Sequence, residues 1–264
     1  MDAHGTAVVT GASRGLGRAL ALELAGAGFD VVATMRDPDA GRTLPGEAPP
    51  GGGTITVAAL DVTKPETIAL PSSLRVLVNN AGTERAYLPV ESVPMEDWRD
   101  VFETNFFGVV EVTRRAVPLM RAGGGGVICN ITSASLLMSV PFYGVYRASK
   151  AAVQTMGETL RAEVAPFGIR VVEVLPGPVD TDMLADSDRR PEAAEVPGYL
   201  ALAEAVHQGR AAVGEFVTPP ATAAAAVVRA VLDDTGPLRW SCDRLGGRLL
   251  AGWQDDPERS LAAR

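Results

Sequence analysis

The sequence predicts one α/β domain built on a parallel β-sheet, on three observations. Short, continuous apolar runs of the kind buried on both faces recur along the chain, the first at Thr6–Thr10 (TAVVT). Stretches of helical periodicity lie between them, as expected where helices cover a parallel sheet. The first run passes directly into a glycine turn, Gly11-Ala-Ser-Arg-Gly15-Leu-Gly17, and then into the helical pattern RALALELAGAG. With 264 residues the chain can bury one large core, and neither a repeat nor a second domain is evident, so residues 1–264 are read as one unit.

Taken in order, the glycine turn comes first. Between a strand and a helix, glycines tighten the turn and let the backbone approach a pyrophosphate, while the helix start offers N–H groups to phosphate oxygens. The spacing G-x-x-x-G-x-G is therefore read as dinucleotide binding, with a purely structural turn as the alternative. The second run, residues 30–34, ends in Met35-Arg36-Asp37. Folds that prefer NAD place an acid at this strand end for the ribose 2′-hydroxyl. Here Met35 takes that place and Arg36 follows, with Arg14 in the glycine turn able to face the same ribose. Two guanidiniums suit a 2′-phosphate, so NADP(H) is favoured over NAD(H). In the alternative both arginines are surface residues and Asp37 holds the ribose.

Residues 38–53 are rich in Pro and Gly and read as a loop. Residues 54–60 form a third strand, after which Asp61 either accepts a bond from an adenine amine or caps a turn. Residues 64–70 allow a brief helix. Residues 75–78 form a fourth strand that ends in Asn79-Asn80-Ala81-Gly82, small and amide residues that fit the crevice of an open sheet. A helix is expected from 95 to 120 with Asn105 inside it; an amide among apolar neighbours needs partners. Residues 126–132 are a fifth strand with Ser133 at its carboxyl end. A helix carrying Tyr146 then runs to about 167, followed by a sixth strand at 169–175 and the exit segment Pro176-Gly177-Pro178-Val179-Asp180-Thr181. Residues 182–216 are read as one or two mobile helices acting as a lid. A helix at 219–232, a last strand at 237–242 and a tail anchored by Leu249, Leu250 and Trp253 complete the chain.

Composition excludes several classes. A net charge of −8 argues against a nucleic-acid surface. No run of eighteen apolar residues is present, and the start MDAHGTAVVTG enters a strand directly, so neither a membrane span nor a signal peptide is expected. Cys129 and Cys242 lack metal-site spacing and are read as reduced thiols of a cytoplasmic protein, with no metal site.

The chemistry centres on Tyr146 and Lys150. Four apart on a helix, they project from one face. A phenol ordinarily titrates near about 10, and a neighbouring ammonium favours its ionised form, which makes the pair a proton-delivery device.

In order and spacing, TGASRGLG, Asp61-Val62, NNAG, Asn105, Ser133, YRASK and PGPVDT resemble the single-domain short-chain dehydrogenases/reductases over residues 5–182. The resemblance implies a Rossmann-like, doubly wound parallel sheet of about seven strands flanked by helices, in a homodimer or homotetramer. It implies that Tyr146 gives a proton to a carbonyl oxygen, that Lys150 lowers the Tyr146 pKa and bonds the nicotinamide ribose, that Ser133 holds the substrate oxygen, and that Asn105 holds a water linking Lys150 to solvent. Gly11, Ser13, Arg14, Gly15, Leu16 and Gly17 would line the pyrophosphate, Asp61 and Val62 the adenine, and Asn79, Ala81 and Gly82 the adenosine ribose. Pro176, Gly177, Val179 and Thr181 would secure the carboxamide. Arg14 and Arg36 match the basic positions of NADPH-preferring members.

The resulting expectation is an NADP(H)-dependent oxidoreductase acting on a small-molecule ketone or alcohol, run as a carbonyl reductase. The same site run as an alcohol dehydrogenase, with NADP or NAD, is one alternative; a cofactor-sensing regulatory protein without turnover is another. Residues 84–88, 135–143 and those after Thr181 would wall the pocket, with Ser135, Tyr143 and Met183 against substrate. Leu136, Leu137, Met138, Val140 and Phe142 make one side apolar, which suits a bulky hydrophobic ketone.

Overall fold

A computed structural model describes residues 2–258 except Ala86, Asp188 and Ala212; these three positions, expected in the pocket wall and lid, and the last six residues of the tail lie outside the described residues. The apolar runs become the strands β1 (Thr6–Thr10), β2 (Asp30–Met35), β3 (Ile55–Ala59), β4 (Leu74–Asn79), β5 (Gly126–Ile131), β6 (Ile169–Val174) and β7 (Arg239–Trp240). They form one sheet in the order β3-β2-β1-β4-β5-β6-β7, and every pairing is parallel. The seven-stranded, doubly wound Rossmann-like sheet expected from the sequence is therefore present. Strand order reverses between β1 and β4, so a crevice opens beyond the carboxyl ends of these two strands.

The period of two along each strand sorts side chains onto two helical layers. Helices α1 (Gly15–Ala27) and α7 (Pro220–Leu232) cover one face, where Val9, Val76 and Val78 meet Leu20, Leu24, Val227 and Val231. After α2 (Met95–Phe102), helices α3 (Gly108–Ala122) and α4 (Gly144–Val164) cover the other, where Val8, Leu77 and Ile128 meet Val112, Ala116, Met120 and Val164. Helices α5 (Asp182–Ser187) and α6 (Leu200–Ala211) lie in the segment read as a lid. The last, α8 (Arg244–Asp255), brings Leu249, Leu250 and Trp253 against Leu137 and Leu175, as expected for the tail.

Several boundaries move for identifiable reasons. Helix α1 starts at Gly15, inside the glycine turn, because the turn itself curls into the first helical residues. The expected 95–120 helix is interrupted by a π-helical turn at Glu103–Phe107, which holds Asn105; such turns bulge one residue out of the ladder. The 38–53 loop contains two 3-10 turns, and Leu44 in the second is fully buried. Residues 64–70 form only a 3-10 turn at Pro65–Thr67, and the last strand shrinks to two residues. No described helix is long and apolar enough to cross a membrane.

Candidate active site

At the carboxyl ends of β1 and β4 the backbone packs too closely for side chains. Gly11 has φ +67°, and a Cβ there would sit 2.9 Å from the Ala81 Cα. A Cβ on Gly17 would sit 2.3 Å from the Gly11 carbonyl oxygen and 2.5 Å from Asn80 Nδ2. This leaves the first N–H groups of α1, which have no partner within the helix, beside a groove of bare backbone. The chemistry of that cradle fits a pyrophosphate. Ser13, Arg14, Gly15 and Leu16 line the same cavity, of about 960 Å³.

The cavity's outer wall bears on cofactor choice. Met35 is buried, its thioether packed where Gly41 leaves room. Asp37 Oδ1 accepts from the Asp39 N–H and caps the following 3-10 turn. Arg36 lines the cavity and is exposed. Arg14 pairs with Asp182 at 2.9 Å, both well exposed, an ion pair weak enough to open. Asp61 also lines the cavity. Its Oδ1 accepts from the Thr63 N–H and hydroxyl, closing a turn. Against the desolvation that would raise its pKa, those bonds and the nearby Lys64 and Arg36 hold it below the usual carboxylate value.

Asn79 and Asn80 are placed differently from the expectation. Asn79 shares the Leu77 face of β4, and its Nδ2 donates to Thr113 on α3 and to Asn130 on β5, away from the cavity. Asn80 instead stands at the crevice, donating to the Thr10 and Gly11 carbonyls. Strand parity decides this, since a residue two beyond Leu77 must follow it under α3. Ala81 and Gly82 line the cavity, and so do Pro176, Gly177, Val179 and Thr181. Asp243, which the sequence reading missed, accepts from the Gly177 N–H at 2.6 Å and caps α8, tying the exit segment of β6 to the tail.

Ser133, Tyr146 and Lys150 converge on the inner end of the cavity. Ser133 leaves β5 and caps a 3-10 turn at Ala134–Leu137, with its hydroxyl 2.9 Å from that of Ser135. Burial pushes the Tyr146 phenol far above its ordinary pKa, the Glu84 carboxylate adds to that, and a hydrogen bond with Ser133 works the other way. Lys150 is 4% exposed; burial lowers its pKa to about 8. Its ammonium donates to the Ile131 carbonyl at 2.9 Å and lies 5.8 Å from the Tyr146 ring centre. The ammonium is turned toward β5, and desolvation and Glu84 are the main influences that raise the phenol.

Asn105 is fully buried, and protein groups use both ends of its amide. Oδ1 accepts from the Thr83 N–H at 2.7 Å, while Nδ2 donates to the Thr83 carbonyl and to Ser149. The side chain clamps the segment after β4. The apolar wall also divides. Met138, Val140 and Tyr143 line the cavity with Ser135 and Met183, whereas Leu137 packs in the core with Leu175, and Phe142 packs against Tyr199.

Glu84, held by that clamp, has a carboxyl raised by burial to about 7, with Asp186 adding and Tyr87 and Arg210 opposing. The folded protein then keeps a proton that the unfolded chain releases from 4.5 upward, so Glu84 costs stability as pH rises through 4.5 to 7. Relative to Glu84→Gln, wild-type stability in urea is expected to fall by about 3 kcal/mol across that window. A pH-independent difference would show that the carboxyl is not desolvated.

Residues 5–192 match the family described as short chain dehydrogenase, and the chain belongs to it. It is 39% identical over 190 residues to the uncharacterized oxidoreductase YusZ of Bacillus subtilis, covering 69% of this chain and 67% of that one. It is 38% identical over 204 residues to human retinol dehydrogenase 8, covering 73% of this chain and 65% of the relative. The chain thus spans about two thirds of the length of these relatives. A solved short-chain dehydrogenase from Streptomyces avermitilis aligns with a TM-score of 0.80 at 33% identity, covering 97% of this chain and 94% of that one.

Proposed function

We propose that the chain is an NADP(H)-dependent oxidoreductase that reduces a bulky, largely apolar ketone to a secondary alcohol, with Tyr146 as proton donor. The observation that carries this reading is that Ser133, Tyr146 and Lys150 line the same cavity as the glycine turn, with apolar wall between them. NADPH, when bound, supplies the hydride. Ser133 holds the carbonyl oxygen, and as negative charge develops there Tyr146 transfers its proton to it. Burial keeps the phenol protonated, so the proton is in place, but makes it a weaker acid that gives the proton up only as charge develops on the substrate oxygen. Lys150, whose ammonium gives up its proton more readily than in water, restores the proton to Tyr146. Residues 182–216, which carry Met183, Leu184, Val206 and Arg210 to the cavity wall, serve as the lid over a single domain.

Arg36 and Arg14, beside a strand end where Met35 takes the place of the acid and Asp37 caps a turn, support NADP(H) over NAD(H). Exchanging Arg36 for Asp should weaken NADPH binding by about tenfold to a hundredfold while leaving NADH binding little changed. An unchanged NADPH/NADH ratio in fluorescence titrations would show that Arg36 does not read the phosphate. Oxidation of an alcohol through the same residues is a second reading, favoured by the name of the human relative, a retinol dehydrogenase. Turnover of ketone and alcohol panels with each cofactor tests the direction.

A further inference from the structure

Arg147 directly follows the proton donor in the stretch YRASK, where the sequence suggests a solvated helix charge. In the fold it is half-buried, and its Nε donates to the Ser135 carbonyl at 2.8 Å. The bond runs from α4 back to the 3-10 turn that follows β5. Burial lowers the pKa of the guanidinium, yet an arginine stays charged at working pH, so the bond is charge-assisted. Arg147 itself stands outside the cavity lining, so its effect on the reaction passes through other groups.

Ser135 is the link to the reacting residues. Its N–H donates to Ser133 Oγ at 3.2 Å, and its hydroxyl stands 2.9 Å from the same oxygen. A shift of the Ser135 backbone therefore moves the hydroxyl that is read as holding the substrate oxygen. Two backbone bonds also shape this turn. The Ala134 N–H donates to the Pro176 carbonyl at 2.8 Å, which ties the turn to the exit of β6, and the Leu136 N–H donates to the Ser133 carbonyl within the turn. Neither reaches the helix of Tyr146; the Arg147 bond does. It also closes the base of the loop 136–146, which brings Met138, Val140 and Tyr143 to the cavity wall. Inside that loop Phe142 has φ +69°, a conformation that a bulky residue keeps only where its surroundings hold it.

We infer that Arg147 is a positioning residue: by holding the Ser135 carbonyl on α4, it sets the Ser133 hydroxyl where it and Tyr146 reach one substrate oxygen. Ser133 comes from a strand end and Tyr146 from a helix, and the Arg147 bond couples the two elements. A misplacement of about 1 Å in such a pair can cost about a hundredfold in rate. The inference rests on the proposed oxidoreductase reading for the identity of the reacting oxygen.

The test uses a series of alkyl phenyl ketones with two readouts. One is NADPH turnover; the other is the infrared carbonyl stretch of the ketone bound to protein saturated with NADP⁺. Arg147→Met should lower kcat by about tenfold to a hundredfold while the NADPH Kd stays as in the wild type. Arg147→Lys, which keeps a charged donor, should recover part of the loss. In a Ser133→Ala background, Arg147→Met should change kcat by less than about twofold, since residues acting through one group are not additive. The stretch, lowered on binding to the wild type, should move back toward its free value in Ser133→Ala and Arg147→Met alike. Arg147→Gln carries the same comparison where Arg147→Met does not fold. A lowered melting temperature with unchanged kcat, an equal loss in both backgrounds, or a stretch indifferent to Arg147 would overturn the inference and leave the reductase reading standing. A stretch that depends on Arg147 in a wild type without turnover would retain the positioning role and overturn the reductase reading. Cofactor binding without binding of any ketone would overturn both.

Discussion

Tyr146→Phe is expected to bind NADPH as the wild type does and to lose about 10²- to 10⁴-fold in turnover, the range that a positioned general acid supplies. The ring remains, so the packing against Tyr143 and the position over Lys150 persist. Only the hydroxyl is lost, and with it the bond to Ser133. The loss should fall on kcat, because the proton moves in the transition state and not on binding. NADPH fluorescence and steady-state kinetics separate the two. Full activity in the variant would remove Tyr146 from the mechanism, and weakened NADPH binding with intact kcat would make it a binding residue instead.

Gly17→Ala should abolish measurable cofactor binding, raising the NADPH Kd by about a hundredfold or more, a loss of roughly 3 kcal/mol. The new methyl carbon would stand 2.3 Å from the Gly11 carbonyl oxygen, and that atom is backbone. Relief requires the start of α1 to move off β1, which displaces the N–H groups that a pyrophosphate would meet. The same movement strains the Asn80 contacts with Thr10 and Gly11, so thermal stability should fall with binding. Unchanged affinity would mean that the dinucleotide is held elsewhere.

The strands, their parallel arrangement and the glycine turn were legible because each depends on local pattern. β5 reads GVICNI and is buried at all six positions, so its continuous apolar character marks a central strand by itself. Ser133, Tyr146 and Lys150 were legible for a similar reason: one follows a strand end, and the others share a helix face. Asn79 could have been placed by counting from Leu77, but the repeated amide hid which of the two neighbours faces the crevice.

Other features had no local signal. The π-helical turn around Asn105 lies in a stretch whose periodicity reads as unbroken helix, and what it does depends on Thr83 and Ser149, distant in sequence. Glu84 and Arg210 look like solvated charges, and only the approach of α6 to the segment after β4 desolvates the acid and leaves atoms of both without partners. The sequence by itself determined the doubly wound sheet, the family and the spacing of Ser133, Tyr146 and Lys150, since periodicity, turn chemistry and spacing act over a few neighbouring positions. The tertiary structure alone decided which amide faces the crevice, where the Lys150 charge points and which carboxyl is desolvated. Those depend on burial and on distances between segments far apart along the chain.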